Sequence, residues 1–367
     1  MVIAEISDPK NIRVLVTGAS GYLGIHCVKQ LLEAGYIVRG TVRSLSNSKK
    51  VEPLRSLRFA SERLELVVAD LEKPDSWVEA LKDCTYILHT ASPFPVNPDE
   101  TIIKTAVDGT LNVLSAAAKV PTVKKIVLTG SCVAIIEGHK DDTKIFNEND
   151  WTVVTPSTNP YHRSKVAAEK AAWNFVKNFE NNDNKFELTV INPSFIIGPL
   201  LSDVEGTSAN HIKMFLNHSM PVVPTICIPM VDVRDVAACH IKAMTNSNTD
   251  GERIIAASQP SVWMKEVSKV LGDEFKPQGY CVPQHKAPNM IIKAASLFSD
   301  QAKMISERLN VDYKIDNSKV SEILLAKQLL NFEFRDPRKS VVEMAYSLIE
   351  HGILPKKSGY KGSNTKL

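Results

Sequence analysis

Ile12-Arg-Val-Leu-Val-Thr-Gly-Ala-Ser-Gly-Tyr-Leu-Gly24 is an apolar run of strand type that breaks into three glycines and then opens a helical pattern. In the stretch that follows, Cys27, Gln30, Leu31 and Ala34 recur at helical spacing, and Gly35 is placed to stop the helix. A strand, a glycine turn and a helix in that order suit a diphosphate. One glycine makes the tight turn, one lets backbone N–H groups approach, and one lets the helix pack closely on the strand. The spacing Gly18-x-x-Gly21-x-x-Gly24 differs from the GxGxxG of simple dehydrogenases. A glycine turn that serves only packing is the competing account, and the flanking strand and helix count against it.

The pattern continues outward from that turn. Apolar runs at Ile37–Val42, Leu64–Ala69, Tyr86–Thr90, Lys125–Thr129 and Leu188–Asn192 alternate with helical stretches, notably Thr105–Lys119 and Tyr161–Phe179. Strand and helix repeated in this way predict a Rossmann-type α/β fold, a doubly wound parallel sheet covered on both faces. Beyond Pro193 prolines and short irregular pieces dominate, and helical stretches return at Ser261–Leu271, Pro288–Glu307, Asn317–Leu325 and Asp336–Glu350. The expected organisation is a nucleotide-binding lobe over residues 10–195, a smaller, mostly helical substrate lobe over 196–355, and a flexible polar tail over 356–367.

Composition excludes several classes. The chain has 367 residues, 44% of them hydrophobic, and 44 basic against 41 acidic side chains, a net charge of +3. That balance gives no reason to expect a nucleic-acid or anionic-membrane partner. The apolar runs fall short of the roughly 18 residues of a membrane span. The six cysteines are scattered without a CxxC pair, and residues 1–11 lack a secretory apolar core. A cytoplasmic protein with reduced thiols and no resident metal is expected. Thr365-Lys366-Leu367 approaches a peroxisomal address, although threonine fits that place poorly.

The segment after the second strand bears on cofactor choice. An acid about 20 residues beyond the glycines would hold ribose hydroxyls, whereas cations accommodate a 2′-phosphate. Here no acid appears before Glu52, while Arg39, Arg43, Lys49 and Lys50 crowd the region. That predicts NADPH. Asp70, after the third strand, is placed either to accept from an adenine amino group or simply to begin a loop.

Tyr161-His-Arg-Ser-Lys165 opens a helix, and its spacing of four sets both side chains on one face. The ammonium is expected to lower the phenol's pKa, so that Tyr161 can deliver a proton to a carbonyl oxygen or take it back. A Tyr and a cation four apart arise readily by chance, and here the position after the fifth strand carries the weight. Ser131, ending that strand, is a hydroxyl able to polarise a carbonyl. Thr129 is its rival, and a plain turn serine the bland alternative.

Taken together, VTGASGYLG (Val16–Gly24), VRGTVR (Val38–Arg43), ADL (Ala69–Leu71), HTASP (His89–Pro93), AVDGTLNVLSAAAK (Ala106–Lys119), YHRSK (Tyr161–Lys165), INPSFIIGPLL (Ile191–Leu201) and VDVRDVAACH (Val231–His240) resemble the extended short-chain dehydrogenase/reductase family. The chain is most similar to the branch with dihydroflavonol 4-reductase, cinnamoyl-CoA reductase and microbial aldehyde and ketone reductases. The resemblance implies a catalytic set of Ser131, Tyr161 and Lys165, of which Tyr161 and Lys165 also contact the cofactor, with Gly18, Gly21, Tyr22, Leu23 and Gly24 in the dinucleotide loop. It further implies Arg43 and Lys50 at the 2′-phosphate, Asp70 and Leu71 at the adenine, Thr90 and Ser92 near the ribose, and Pro193 and Ser208 near the nicotinamide and phosphates.

Two departures stand out. The family often has Ser-Ser where this chain has Gly130-Ser131, and the Asn-Trp-Tyr-Cys-Tyr motif of cinnamoyl-CoA reductases is replaced by Pro156-Ser-Thr-Asn-Pro-Tyr161. The second argues against a thioester substrate, and the apolar Cys132-Val-Ala-Ile-Ile favours a compact or apolar carbonyl. The expected activity is NADPH-dependent reduction of an aldehyde or ketone by a monomer or homodimer acting on a small molecule. The alternatives are a 3β-hydroxysteroid dehydrogenase or nucleotide-sugar epimerase on the same fold, and a cofactor-sensing regulatory protein, which the Tyr/Lys pair argues against.

Overall fold

The computed structural model describes residues 8–93, 99–139, 141, 143–178, 184–203, 206–298, 300–325 and 333–363. Seven strands form the central sheet: β1 (Arg13–Thr17), β2 (Ile37–Val42), β3 (Leu64–Val68), β4 (Tyr86–His89), β5 (Lys125–Thr129), β6 (Glu187–Pro193) and β7 (Arg253–Ala256). Their order is 7-6-5-4-1-2-3, and every pairing is parallel. The chain runs outward from β1 on one side and from β4 on the other, so the strand order reverses between them. That reversal opens a crevice at the carboxyl ends of the strands.

Covering both faces is what these sequences demand. β1, β5 and β6 are nearly all buried, with apolar residues at their centres, so both faces of the sheet are covered. On one face lie α1 (Tyr22–Glu33) and α5 (Val233–Thr245), packed on each other through Cys27, Leu31, Val236 and Cys239. On the other lie α2 (Thr101–Ala117) and α3 (Pro160–Asn178), with Trp77, Val113, Leu114, Ala172 and Phe186 in the intervening core. A separate core joins α4 (Thr207–Leu216), α6 (Met264–Phe275) and α7 (Pro337–Glu350) around Phe215, Leu271, Phe275 and Met344.

The two lobes do not divide at residue 195. Residues 233–256 return to the nucleotide lobe, where α5 covers the sheet and β7 extends it beside β6, register Ile254 to Ile191. β7 is four residues long and offers only Arg253-Ile-Ile-Ala256, too short a run to stand out from an apolar stretch of a helical lobe. The stretch Pro288–Glu307, expected as one helix, is two, Asn289–Ala295 and Asp300–Glu307. Ser296 ends the first by donating its N–H to Ile292 and its hydroxyl to Lys293.

The flexible tail expected from 356 is corrected for residues 356–363. Tyr360 packs on Tyr346 and donates to Glu350, and the Lys361 N–H donates to Gln278. Thr365-Lys366-Leu367 lies outside the described residues. No helix among the described residues is long and apolar enough to cross a membrane, and no described cluster of His, Cys, Asp and Glu could hold a metal. All six cysteines are free thiols, Cys281 alone being exposed.

Candidate active site

Register brings the candidate residues together. Thr17 lies opposite His89, His89 opposite Leu128, and Leu128 opposite Val190, so β1, β4 and β5 end within a residue of one level and β6 runs three residues beyond it. The segments that leave there are Gly18–Gly24, Thr90–Ser92 and Gly130–Ser131, and they lie beside Asn192–Pro193 at the end of β6.

The first is a cradle. Gly18 takes φ +64°, a left-handed conformation that glycine adopts without strain. At Gly24 a Cβ would overlap the Gly18 carbonyl oxygen, so helix and turn approach as closely as their backbones allow. Gly21 is the N-cap of α1, and no side chain caps that helix end. The first-turn N–H groups therefore meet the crevice uncapped, as a diphosphate requires. The side chains of Tyr22 and Leu23 serve the scaffold: Tyr22 donates to the Gly198 carbonyl at 2.7 Å, and Leu23 is buried.

The cations in and after β2 separate into two kinds. Arg39 is buried, pairs with Glu65 at 2.8 Å and donates to the carbonyls of Glu79, Ala80 and Lys82. It is a structural cation and cannot reach a cofactor. Arg43 and Lys49 are exposed and Lys50 half-buried, and none has an acidic partner among the described residues. They sit at the strand end and in the first turn of the helix Ser48–Arg55, free to meet a phosphate.

Asp70 stands in the turn after β3, where its carboxylate accepts from the Glu72 N–H at 3.1 Å. Leu71 packs against Gly109, and its carbonyl accepts from Asn112. Thr90 donates to the Thr17 carbonyl at 2.6 Å, so its hydroxyl ties β4 to β1. Pro193 ends β6, and Ser208 is a buried residue in the first turn of α4.

Ser131, Tyr161, Lys165 and Ser92 form a connected set. The Ser131 hydroxyl is hydrogen-bonded to the Tyr161 phenol. Lys165 donates to the Ser92 hydroxyl at 3.1 Å, with its Nζ 5.9 Å from the Tyr161 ring centre. Thr129 is drawn away, its hydroxyl bonded to His240 Nε2 at 2.8 Å. The expected lowering of the Tyr161 pKa by Lys165 is not what governs this site. Burial pushes the phenol up to about 12, and the Ser131 hydrogen bond only partly opposes it. Burial likewise pulls Lys165 down to about 8, against the nearby Glu169 carboxylate. A phenol so placed keeps its proton at neutral pH, as an acid must.

Sequence reasoning missed the support behind this set. Glu169, four residues past Lys165 on the same helical face, is 1% exposed and accepts from Arg253 Nε at 2.6 Å and from Asn192 Nδ2 at 2.8 Å. The i+4 spacing from Lys165 was a readable signal for Glu169; nothing local marks Arg253, 84 residues on.

The model of the NAD dependent epimerase/dehydratase family matches residues 14–257. An uncharacterized oxidoreductase of Saccharomyces cerevisiae is 32% identical over 361 residues, covering 92% of this chain and 97% of its own. Cinnamoyl-CoA reductase 2 of Arabidopsis thaliana is 33% identical over 346 residues, 93% of this chain and 94% of its own. Among solved structures, the yeast methylglyoxal/isovaleraldehyde reductase Gre2 complexed with NADPH superposes with a TM-score of 0.76 at 28% identity, covering 94% of this chain and 100% of its own.

Proposed function

The chain belongs to the NAD-dependent epimerase/dehydratase family, in the dihydroflavonol and cinnamoyl-CoA reductase-like branch of the extended short-chain dehydrogenases/reductases, and from that premise we propose that it reduces an aldehyde or ketone to an alcohol with NADPH. It is an oxidoreductase, and the observation that carries the finer reading is the hydrogen bond between Ser131 and Tyr161 beside Lys165, at the sheet edge where the glycine cradle opens.

The uncapped turn of α1 holds the diphosphate, and Arg43 and Lys50 hold the 2′-phosphate. Asp70 and Leu71 border the adenine, and Thr90, Ser92, Pro193 and Ser208 border the ribose and nicotinamide. When bound, NADPH supplies the hydride that reduces the carbonyl carbon. Ser131 donates a hydrogen bond to the carbonyl oxygen and polarises it. Tyr161 delivers its proton to that oxygen as negative charge develops there. The Lys165 ammonium, steadied by Ser92, stabilises the phenolate left behind.

Loss of NADPH absorbance in the presence of a panel of small and aromatic carbonyls tests the assignment. Tyr161→Phe is expected to cut turnover by about 100-fold or more while binding NADPH normally. Equal turnover by the variant, or none by the wild type on any carbonyl, would overturn it.

A further inference from the structure

The departure at Gly130, where relatives often carry a serine, has a neighbour to answer for it. A Cβ on Gly130 would strike the Asn192 side-chain amide and come within 2.8 Å of Val190 Cγ1. Asn192 cannot swing aside, because it is fully buried and its Nδ2 donates both to Glu169 Oε2 at 2.8 Å and to the Ser131 carbonyl at 3.3 Å. Its own side-chain oxygen is buried with no partner, a cost accepted in return for keeping the donor end where it is. The Ser131 loop is braced on β6 at two further points: the Gly130 N–H donates to the Ile191 carbonyl at 2.7 Å, and the Cys132 thiol to the Asn192 carbonyl.

Glu169 closes the connection. It rides on α3 one turn beyond Lys165 and two beyond Tyr161, while Ser131 comes from β5. Through Asn192 the helix that carries Tyr161 and Lys165 is tied to the loop that carries Ser131. Arg253, from β7, anchors the carboxylate from the far side and is stacked on Trp151 at 3.8 Å.

We propose that Glu169 and Asn192 are positioning residues for carbonyl reduction, Glu169 orienting Asn192 so that the Ser131 hydroxyl is held against Tyr161, and that glycine at 130 is the space this arrangement needs. The proposal rests on the reductase reading above. A second consequence follows from charge. The groups facing Glu169 are Lys165 on its own helix, Arg253 on β7 and the Cys132 thiol; those facing Lys165 are Glu169, Tyr161 and His89 on β4. The Glu169 carboxylate favours the protonated form of Lys165, so its removal lets Lys165 lose the proton at lower pH.

Glu169→Gln keeps the shape and removes the charge. With NADPH affinity followed by fluorescence titration, this variant is expected to bind the cofactor as wild type does. Its kcat should fall about 10- to 100-fold, and the alkaline limb of its pH–rate profile should move to lower pH. Glu169→Asp should return the limb toward its wild-type position, which a purely structural role would not require. Should Glu169→Gln fail to fold, Asn192→Ala decides: it keeps the Glu169 charge, so kcat should fall with the limb unmoved. Wild-type kcat and profile in whichever variant folds would overturn the proposal while leaving the reductase reading intact. A wild type inactive on every carbonyl would sink both.

Discussion

Arg39 and Arg43 are four residues apart and chemically identical, yet only Arg43 is free to meet a ligand. The difference lies in partners at Glu65 and at residues 79–82, which only the folded sheet delivers to Arg39. Arg43→Ala should therefore raise KM for NADPH about 10- to 100-fold, the worth of one or two charged hydrogen bonds, and leave KM for NADH nearly unchanged. Equal loss with both cofactors in steady-state assays would contradict this. Tyr161 gives a second lesson at this scale. Spacing alone placed Lys165 on its helical face, which the structure bears out, but burial rather than the ammonium governs the phenol. Because Lys165 holds its proton below about pH 8 and loses it above, kcat/KM for reduction should decline as pH rises through about 8. Lys165→Met should lack that limb. Ser131, Tyr161 and Lys165 were legible because each follows from a strand end or a helical period. Asn192 and Arg253 were not, since an asparagine or arginine in an apolar strand announces nothing until its partner is known.

Elements were read well wherever period and punctuation agreed. Six strands and the glycine turn stand within a residue or so of their expected bounds, because near-continuous apolar runs bounded by glycine or polar residues admit few other foldings. The glycine turn also sets how closely α1 rests on β1. Gly24→Ala, with its Cβ directed into the Gly18 carbonyl, should force the helix outward at a cost of about 1–3 kcal/mol, lowering the denaturant midpoint and weakening NADPH binding together. Binding at wild-type strength would show that the turn tolerates the extra atom. In the C-terminal half the signal failed for β7 and for the paired helices 289–295 and 300–307. There the decision is made by a distant edge strand and by a local serine cap, which periodicity does not register.

Three histidines, His26, His89 and His240, are buried in the nucleotide lobe, where His26 donates to the Pro199 carbonyl and His89 and His240 are hydrogen-bonded to the Thr17 and Thr129 hydroxyls. Burial pulls them to about 4, 3 and 4. The unfolded chain takes up their protons first as pH falls, so their contribution to stability is complete above about pH 6.5 and is lost progressively toward pH 4. Each should steepen the fall by up to about 1.4 kcal/mol per pH unit, read from urea midpoints between pH 7 and 4. A midpoint flat across that range would refute the account. The lobes themselves are fastened by Asp232, buried between Arg234 and Ser340, and by the reach of Tyr22 and His26 to Gly198 and Pro199. The late arrival of β7 adds a temporal side to this architecture. During synthesis the ribosome releases six of the seven strands before residue 253 exists, and β6 then stands as an open edge while Glu169 on α3 lacks the arginine that neutralises it. The sheet and the support for the Ser131 loop are thus completed by the same four residues, so a nascent chain acquires its finished border and its competent site in one step.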